Sequence, residues 1–176
     1  MYEPTPLADV SAEAAADDRW TLVFIRDFPH PPEKVWRALT DPDEIKQWAP
    51  YDASRDLAST GDATLTMIDG ETAMDMPAVI TKSEPPTLLE FTWDEDLLRW
   101  ELERTDSGTR LTLRHTIGNH DWVPKVTAGW HICLDVADLL LAGHPVGPIR
   151  GQEAKKYGWE DLRVGYGTKL GIEGAE

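Results

Sequence analysis

The sequence has a single cysteine among 176 residues, Cys133. That excludes an intrachain disulfide and any multi-cysteine metal site. No run approaches the roughly 18 consecutive apolar residues of a membrane-spanning helix. Residues 1–18 hold no Lys or Arg and no apolar segment, so a secretory signal is not expected and cytoplasmic residence is. Basic residues are scarce, 17 against 32 acidic, for a net charge of −15. Without Lys/Arg clusters, neither nucleic acid nor an anionic membrane surface is an expected partner. The charge reads first as solubility. Catalytic signatures are missing too: there is no Gly-x-Ser-x-Gly and no His-Glu-x-x-His. His120, His131 and His144 lie loosely near Asp121 and Asp135 in sequence without the spacing of a metal centre. His131 and Asp135, four residues apart, read as a surface helix pair. No metal and no cofactor is expected.

What is present is 41% apolar residues with eight tryptophans, enough for the core of one domain with tails. The most informative phrase runs from Pro31 to Trp48 and reads as two short helices in tandem. Pro31 and Pro32 suit a first helical turn, where no amide donor is needed. Val35, Trp36 and Leu39 share a face. Asp41 is a good N-cap, Pro42 fits the first helical position, and Glu44 completes a capping box. An apolar strand, Trp20 to Phe28, precedes this phrase.

Short strands follow. Tyr51 to Leu57 is weak, Ala63 to Ile68 alternates, and Met76 to Thr81 could bury either face. Leu88 to Trp93 sets Leu89, Phe91 and Trp93 together. Leu97 to Glu103 sets Leu98, Trp100 and Leu102 inward. Arg110 to Ile117 does the same for Leu111, Leu113, His115 and Ile117. This is an antiparallel meander with one apolar and one wet face. The run Asp94-Glu95-Asp96 reads as a solvated turn. From Val123 to Leu141 the period becomes helical, with an apolar stripe broad enough for more than one side to be covered. Residues 1–18 read as an acidic flexible leader. After a Gly/Pro-rich break at Gly143 to Gly151, Glu153 to Leu170 reads as helical, either packing on the long helix or reaching a partner subunit.

The predicted class is α+β: a curved antiparallel sheet of six or seven strands wrapped on the long helix, with two short helices after the first strand. Such a sheet leaves a hollow where the inner side chains cannot fill it. The expected lining is aromatic and soft: Met67, Phe91, Trp93 and Trp100 from the sheet, then His115, and Trp130, Cys133 and Leu134 from the long helix. A histidine on an apolar strand face can bond a ligand's carbonyl or hydroxyl or serve as acid/base, or it can be a core histidine satisfied by its neighbours. Cys133, in an apolar helical pattern, reads as a packing thiol rather than a nucleophile.

Pro32 to Pro42 with Trp48, then Pro85-Pro86 before Leu89, Phe91 and Trp93, then Thr109 to His115, then Gly129-Trp130 with Leu134-Asp135, together resemble the Bet v 1-like superfamily. This superfamily, also called START-like or SRPBCC, has the helix-grip fold. The likeness is greatest to the Hsp-90-ATPase-activator-homologue-like family of single-domain bacterial proteins, and it covers about residues 20–142. It implies a START-like domain over 19–142, with 143–176 as a C-terminal extension. It further implies a binding protein for a small hydrophobic or amphipathic ligand, without a catalytic residue. Two other readings follow from the same resemblance: a co-chaperone stimulating a heat-shock chaperone ATPase, and a cyclase- or hydratase-like enzyme using His115. The stripe on the long helix and the C-terminal arm leave a homodimer open.

Overall fold

The computed structural model describes residues 2–172. Eight strands form one antiparallel sheet in the order β1-β2-β8-β7-β6-β5-β4-β3. They are β1 (Asp9–Ala14), β2 (Trp20–Phe28), β3 (Tyr51–Ala53), β4 (Gly61–Asp69), β5 (Thr72–Glu84), β6 (Leu88–Trp93), β7 (Asp96–Thr105) and β8 (Gly108–Ile117). Helices α1 (Pro32–Thr40) and α2 (Pro42–Ile45) follow β2. The long helix α3 (Val123–Leu141) follows β8, and α4 (Trp159–Leu170) comes after a 3-10 stretch at Gly151–Tyr157. This is the α+β helix-grip architecture, with one strand more than the sequence suggests. No described helix is long and apolar enough to cross a membrane.

The alternation read from the central strands places the core. Leu98 lies opposite His115, Trp100 opposite Leu113, and Leu102 opposite Leu111. All six are buried. The reverse face carries Arg99–Glu90 and Arg114–Glu101 ion pairs at 3.1 and 2.7 Å, partly exposed contacts of small energetic weight. Helix α3 is buried continuously from Trp130 to Ala137. It lies between the sheet and a second layer made by α4 and the N-terminal segment, so its apolar character extends around the helix.

Three expectations need correction. The leader is not free: Asp9–Ala14 pairs with β2 along its full length, and Tyr2 and Val10 are buried. An Ala- and acid-rich hexapeptide has little intrinsic strand preference. The open edge of β2 supplies its hydrogen bonds. The capping box does not close, because the Asp41 amide donates to the Arg37 carbonyl at the end of α1. Asp41 still caps α2 by accepting from the Asp43 amide at 2.9 Å. The C-terminal helix is split at Gly158, whose φ of 88° lies in the left-handed region, and α4 folds back onto α3.

Candidate ligand cavity

A cavity of about 870 Å³ lies between the sheet, α3 and the C-terminal segment, within the roughly 300–1,000 Å³ of small-molecule sites. Helix α3 lines it with Val126, Gly129, Trp130 and Cys133. Those residues recur at steps of three, one and three and so share one face. The sheet contributes Met67 from β4, Trp93 from β6, Asp96 from β7 and His115 from β8. Trp122, 53% exposed, stands at the rim.

Met67, Trp93, His115, Trp130 and Cys133 thus come together on the cavity wall. Phe91, Trp100 and Leu134 do not reach it. Each is buried behind it. The inward faces of β6 and β7 are as expected, but a second ring covers each aromatic: Tyr51 lies edge-on to Phe91 at 6.3 Å, and Trp130 edge-on to Trp100 at 5.3 Å. Leu134 is turned about 100° around α3 from Cys133, away from the hollow.

His115 is held at both nitrogens. The indole N–H of Trp130 donates to Nδ1 at 2.9 Å, and Nε2 lies 2.8 Å from the Asp96 carboxylate. Because Nδ1 accepts, the ring proton sits on Nε2 and donates to Asp96. Asp96 is therefore part of the site rather than a solvated turn charge. The β6–β7 hairpin places it opposite Trp93 across a two-residue turn, with Asp94 at a φ of 53°. The spacing of 96, 98, 100 and 102 carries the signal: Asp96 is the outermost member of the inward set of β7. The indole N–H groups of Trp93 and Trp100 are buried without a hydrogen-bond partner among the described residues. Burial pushes the Cys133 thiol up to about 12, against a smaller lowering by Arg150.

Much of the outer wall comes from residues after Gly143, where the sequence offers little beyond a Gly/Pro-rich break. Ile149, Arg150, Ala154 and Trp159 all line the cavity. Arg150 fixes this segment. Its guanidinium donates to the carbonyls of Ala49, Tyr51 and Lys46 at 2.8, 3.1 and 3.3 Å, and to the Asp52 carboxylate at 2.7 Å. At the next residue, Gly151 has a φ of 57°, and an added Cβ would overlap Asp69 Oδ1. That same oxygen accepts from the Gln152 amide at 3.1 Å.

The opposite face of α3 carries a polar clasp. His131 and Asp135 are 0% and 2% exposed, not a surface pair. Asp135 accepts from the Tyr2 hydroxyl at 2.6 Å, from the Thr5 hydroxyl at 2.7 Å and from Arg26. The His131 ring contacts the Tyr166 hydroxyl at 2.6 Å, and that oxygen accepts from the Ala8 amide at 2.8 Å. Burial alone would raise the Asp135 carboxyl. The hydrogen bonds from His131, Tyr2 and Thr5, with the Arg26 charge, outweigh it and hold the group well below the usual carboxylate range. The clasp joins the N-terminal segment, β2, α3 and α4. Among the described residues, no group of three or more His, Cys, Asp or Glu side chains is placed to hold a metal ion.

Comparison with known proteins bears on the fold and the family. CalU16 from Micromonospora echinospora superposes with a TM-score of 0.67 at 18% identity, over 92% of this chain and 95% of that one. A conserved protein of unknown function from Enterococcus faecalis, EF2215, gives 0.67 at 20% identity, over 92% and 89%. An AHSA1-like protein from Aeromonas hydrophila gives 0.59 at 22% identity, over 72% and 96%. No curated protein matches the sequence. The sequence model for "Activator of Hsp90 ATPase homolog 1-like protein" matches residues 29–141. The match spans α1 through α3, the part of the chain that carries strands β3 to β8 and the long helix, and the chain belongs to this family.

Proposed function

We propose that the protein binds a small hydrophobic or amphipathic molecule in the cavity between the sheet and α3. The observation that carries this reading is the cavity itself: about 870 Å³, walled by Met67, Trp93, Val126, Trp130 and Cys133. An apolar hollow with one or two polar groups suits a compact organic ligand. Met67, Trp93, Trp130 and Cys133 would touch the ligand. Phe91, Trp100 and Leu134 would shape the wall from behind.

Catalysis by His115 has less support, because both ring nitrogens are taken by Trp130 and Asp96. The net charge of −15 supports a small molecule over nucleic acid or an anionic membrane as partner. A lone unpaired cysteine is compatible with a reducing cytoplasm.

The test uses Gly129, which lines the cavity and where an added Cβ meets nothing within 4 Å. Gly129→Phe fills the hollow from the helix without a backbone clash. The neutral fluorophore N-phenyl-1-naphthylamine is expected to bind the wild type saturably at one site and to lose at least about tenfold in affinity in Gly129→Phe, with the circular dichroism spectrum unchanged. Absence of saturable binding, or equal binding by the filled variant, refutes the proposal.

A further inference from the structure

We infer that the ligand carries an anionic group of the carboxylate kind, held at the cavity mouth by Lys125 and Lys155. This rests on the cavity being a ligand site. The chain holds 32 acidic against 17 basic residues, yet the charged residues of the cavity wall reverse that balance. They are Lys125, Arg150, Lys155 and Arg163, against Asp96 and Glu160.

Four of these six have partners that account for them. Arg150 is bound to three carbonyls and Asp52. Arg163 Nε donates to Glu160 at 3.0 Å, and Asp96 serves His115. The ammonium groups of Lys125 and Lys155 make no hydrogen bond or ion pair among the described residues. The ammonium of Lys125, in the first turn of α3, lies 5.2 Å from the centre of the exposed Trp122 ring. Lys155 comes from the 3-10 stretch on the other wall. Both are close enough to Glu160 to help hold its carboxyl below the ordinary range, behind the larger effect of Arg163. Both lysines line the same cavity.

Lys155 is exposed and Lys125 half-buried, whereas Trp130 and Cys133 on the same wall are buried, with Trp93 and Met67 half-buried beside them. An apolar body with a terminal carboxylate matches that order, body inward and charge at the rim. The molecule's overall field opposes it, since a net charge of −15 repels anions. A preference for an anion over its neutral counterpart must come from local cations.

The probe pair is decanoate and decanol, equal in chain length and different in charge. Each is used to displace N-phenyl-1-naphthylamine from the full chain. Decanoate is expected to displace at about tenfold lower concentration than decanol in low salt. That advantage, read as the ratio of the two displacing concentrations within each protein, is expected to vanish in a Lys125→Gln, Lys155→Gln double variant and to shrink in high salt. Equal displacement by the two probes, or a decanoate preference that survives the double variant, overturns the inference and leaves the cavity reading standing. Failure of the neutral fluorophore to bind at all removes both.

Discussion

The indole nitrogen of Trp130 donates to Nδ1 of His115 across 2.9 Å, joining α3 to β8 at the inner wall of the cavity. The bond orients the imidazole so that its other nitrogen meets Asp96. Helix, two strands and cavity surface are coupled through one ring. A histidine satisfied in this way keeps a polar spot in an apolar wall without the cost of an unpaired buried nitrogen.

Trp130→Phe keeps an aromatic ring and removes only the donor. It is expected to lower unfolding free energy by about 1–2 kcal/mol, because Nδ1 is left without its partner. Urea denaturation reads the loss. In nitrogen-15 spectra of the histidine side chain, the wild type should show the proton fixed on Nε2, and the variant should show a mixture of tautomers.

Asp135 makes stability depend on acid pH. Its folded carboxyl is held below the ordinary value of 3.8. A carboxyl depressed in the folded state contributes fully above its unfolded value, and the contribution is lost as pH falls toward the folded one. Asp135→Asn is expected to cost about 2 kcal/mol near neutral pH, since Arg26 loses its buried partner and keeps only the part-exposed Asp138 carboxylate at 3.2 Å. The gap between wild type and variant should narrow as pH is lowered below about 4. Urea titrations at a series of pH values check this, and a gap that widens toward acid contradicts it.

Cys133 should be inert in the folded protein. With burial raising its thiol to about 12, almost no thiolate is present at pH 8. Iodoacetamide is expected to label the native chain far more slowly than the urea-unfolded chain, read by intact mass. Rapid native labelling would mean that burial at this position is wrongly described.

The C-terminal wall should depend on Gly151. Alanine there places a Cβ against Asp69 and also meets the positive φ. Gly151→Ala is expected to destabilise by about 1–2 kcal/mol and to raise amide hydrogen exchange between Arg150 and Tyr157. It should weaken N-phenyl-1-naphthylamine binding without unfolding the sheet. Unchanged exchange in that segment would show that it is held by Arg150 alone.

The features legible in the sequence are those encoded by local periodicity. Helix α3 follows from its apolar stripe, and β6 to β8 from strict alternation. The tandem α1 and α2 follow from two prolines at helix starts and the Asp41 cap. Features created by tertiary partners are not legible. β1 exists because β2 offers an open edge, and its own residues carry no strand signal. His131 and Asp135 look like a surface pair until Tyr2, Thr5 and Tyr166 close over them. Phe91 and Trp100 lie on the expected face, but strand alternation cannot say which ring covers which. Asp96 continues the inward spacing of Leu98 and Trp100, but it also sits in an acidic turn whose composition favours solvent.

The most direct measurement is an NMR titration that follows the tryptophan indole N–H signals as N-phenyl-1-naphthylamine is added. The account predicts saturable shifts at Trp93 and Trp130, which line the cavity. It predicts no change at Trp48, whose indole N–H is bonded to the Ala38 carbonyl at 2.8 Å in the buried core. Shifts absent at Trp93 and Trp130, or spread equally to Trp48, would contradict a ligand site between the sheet and α3.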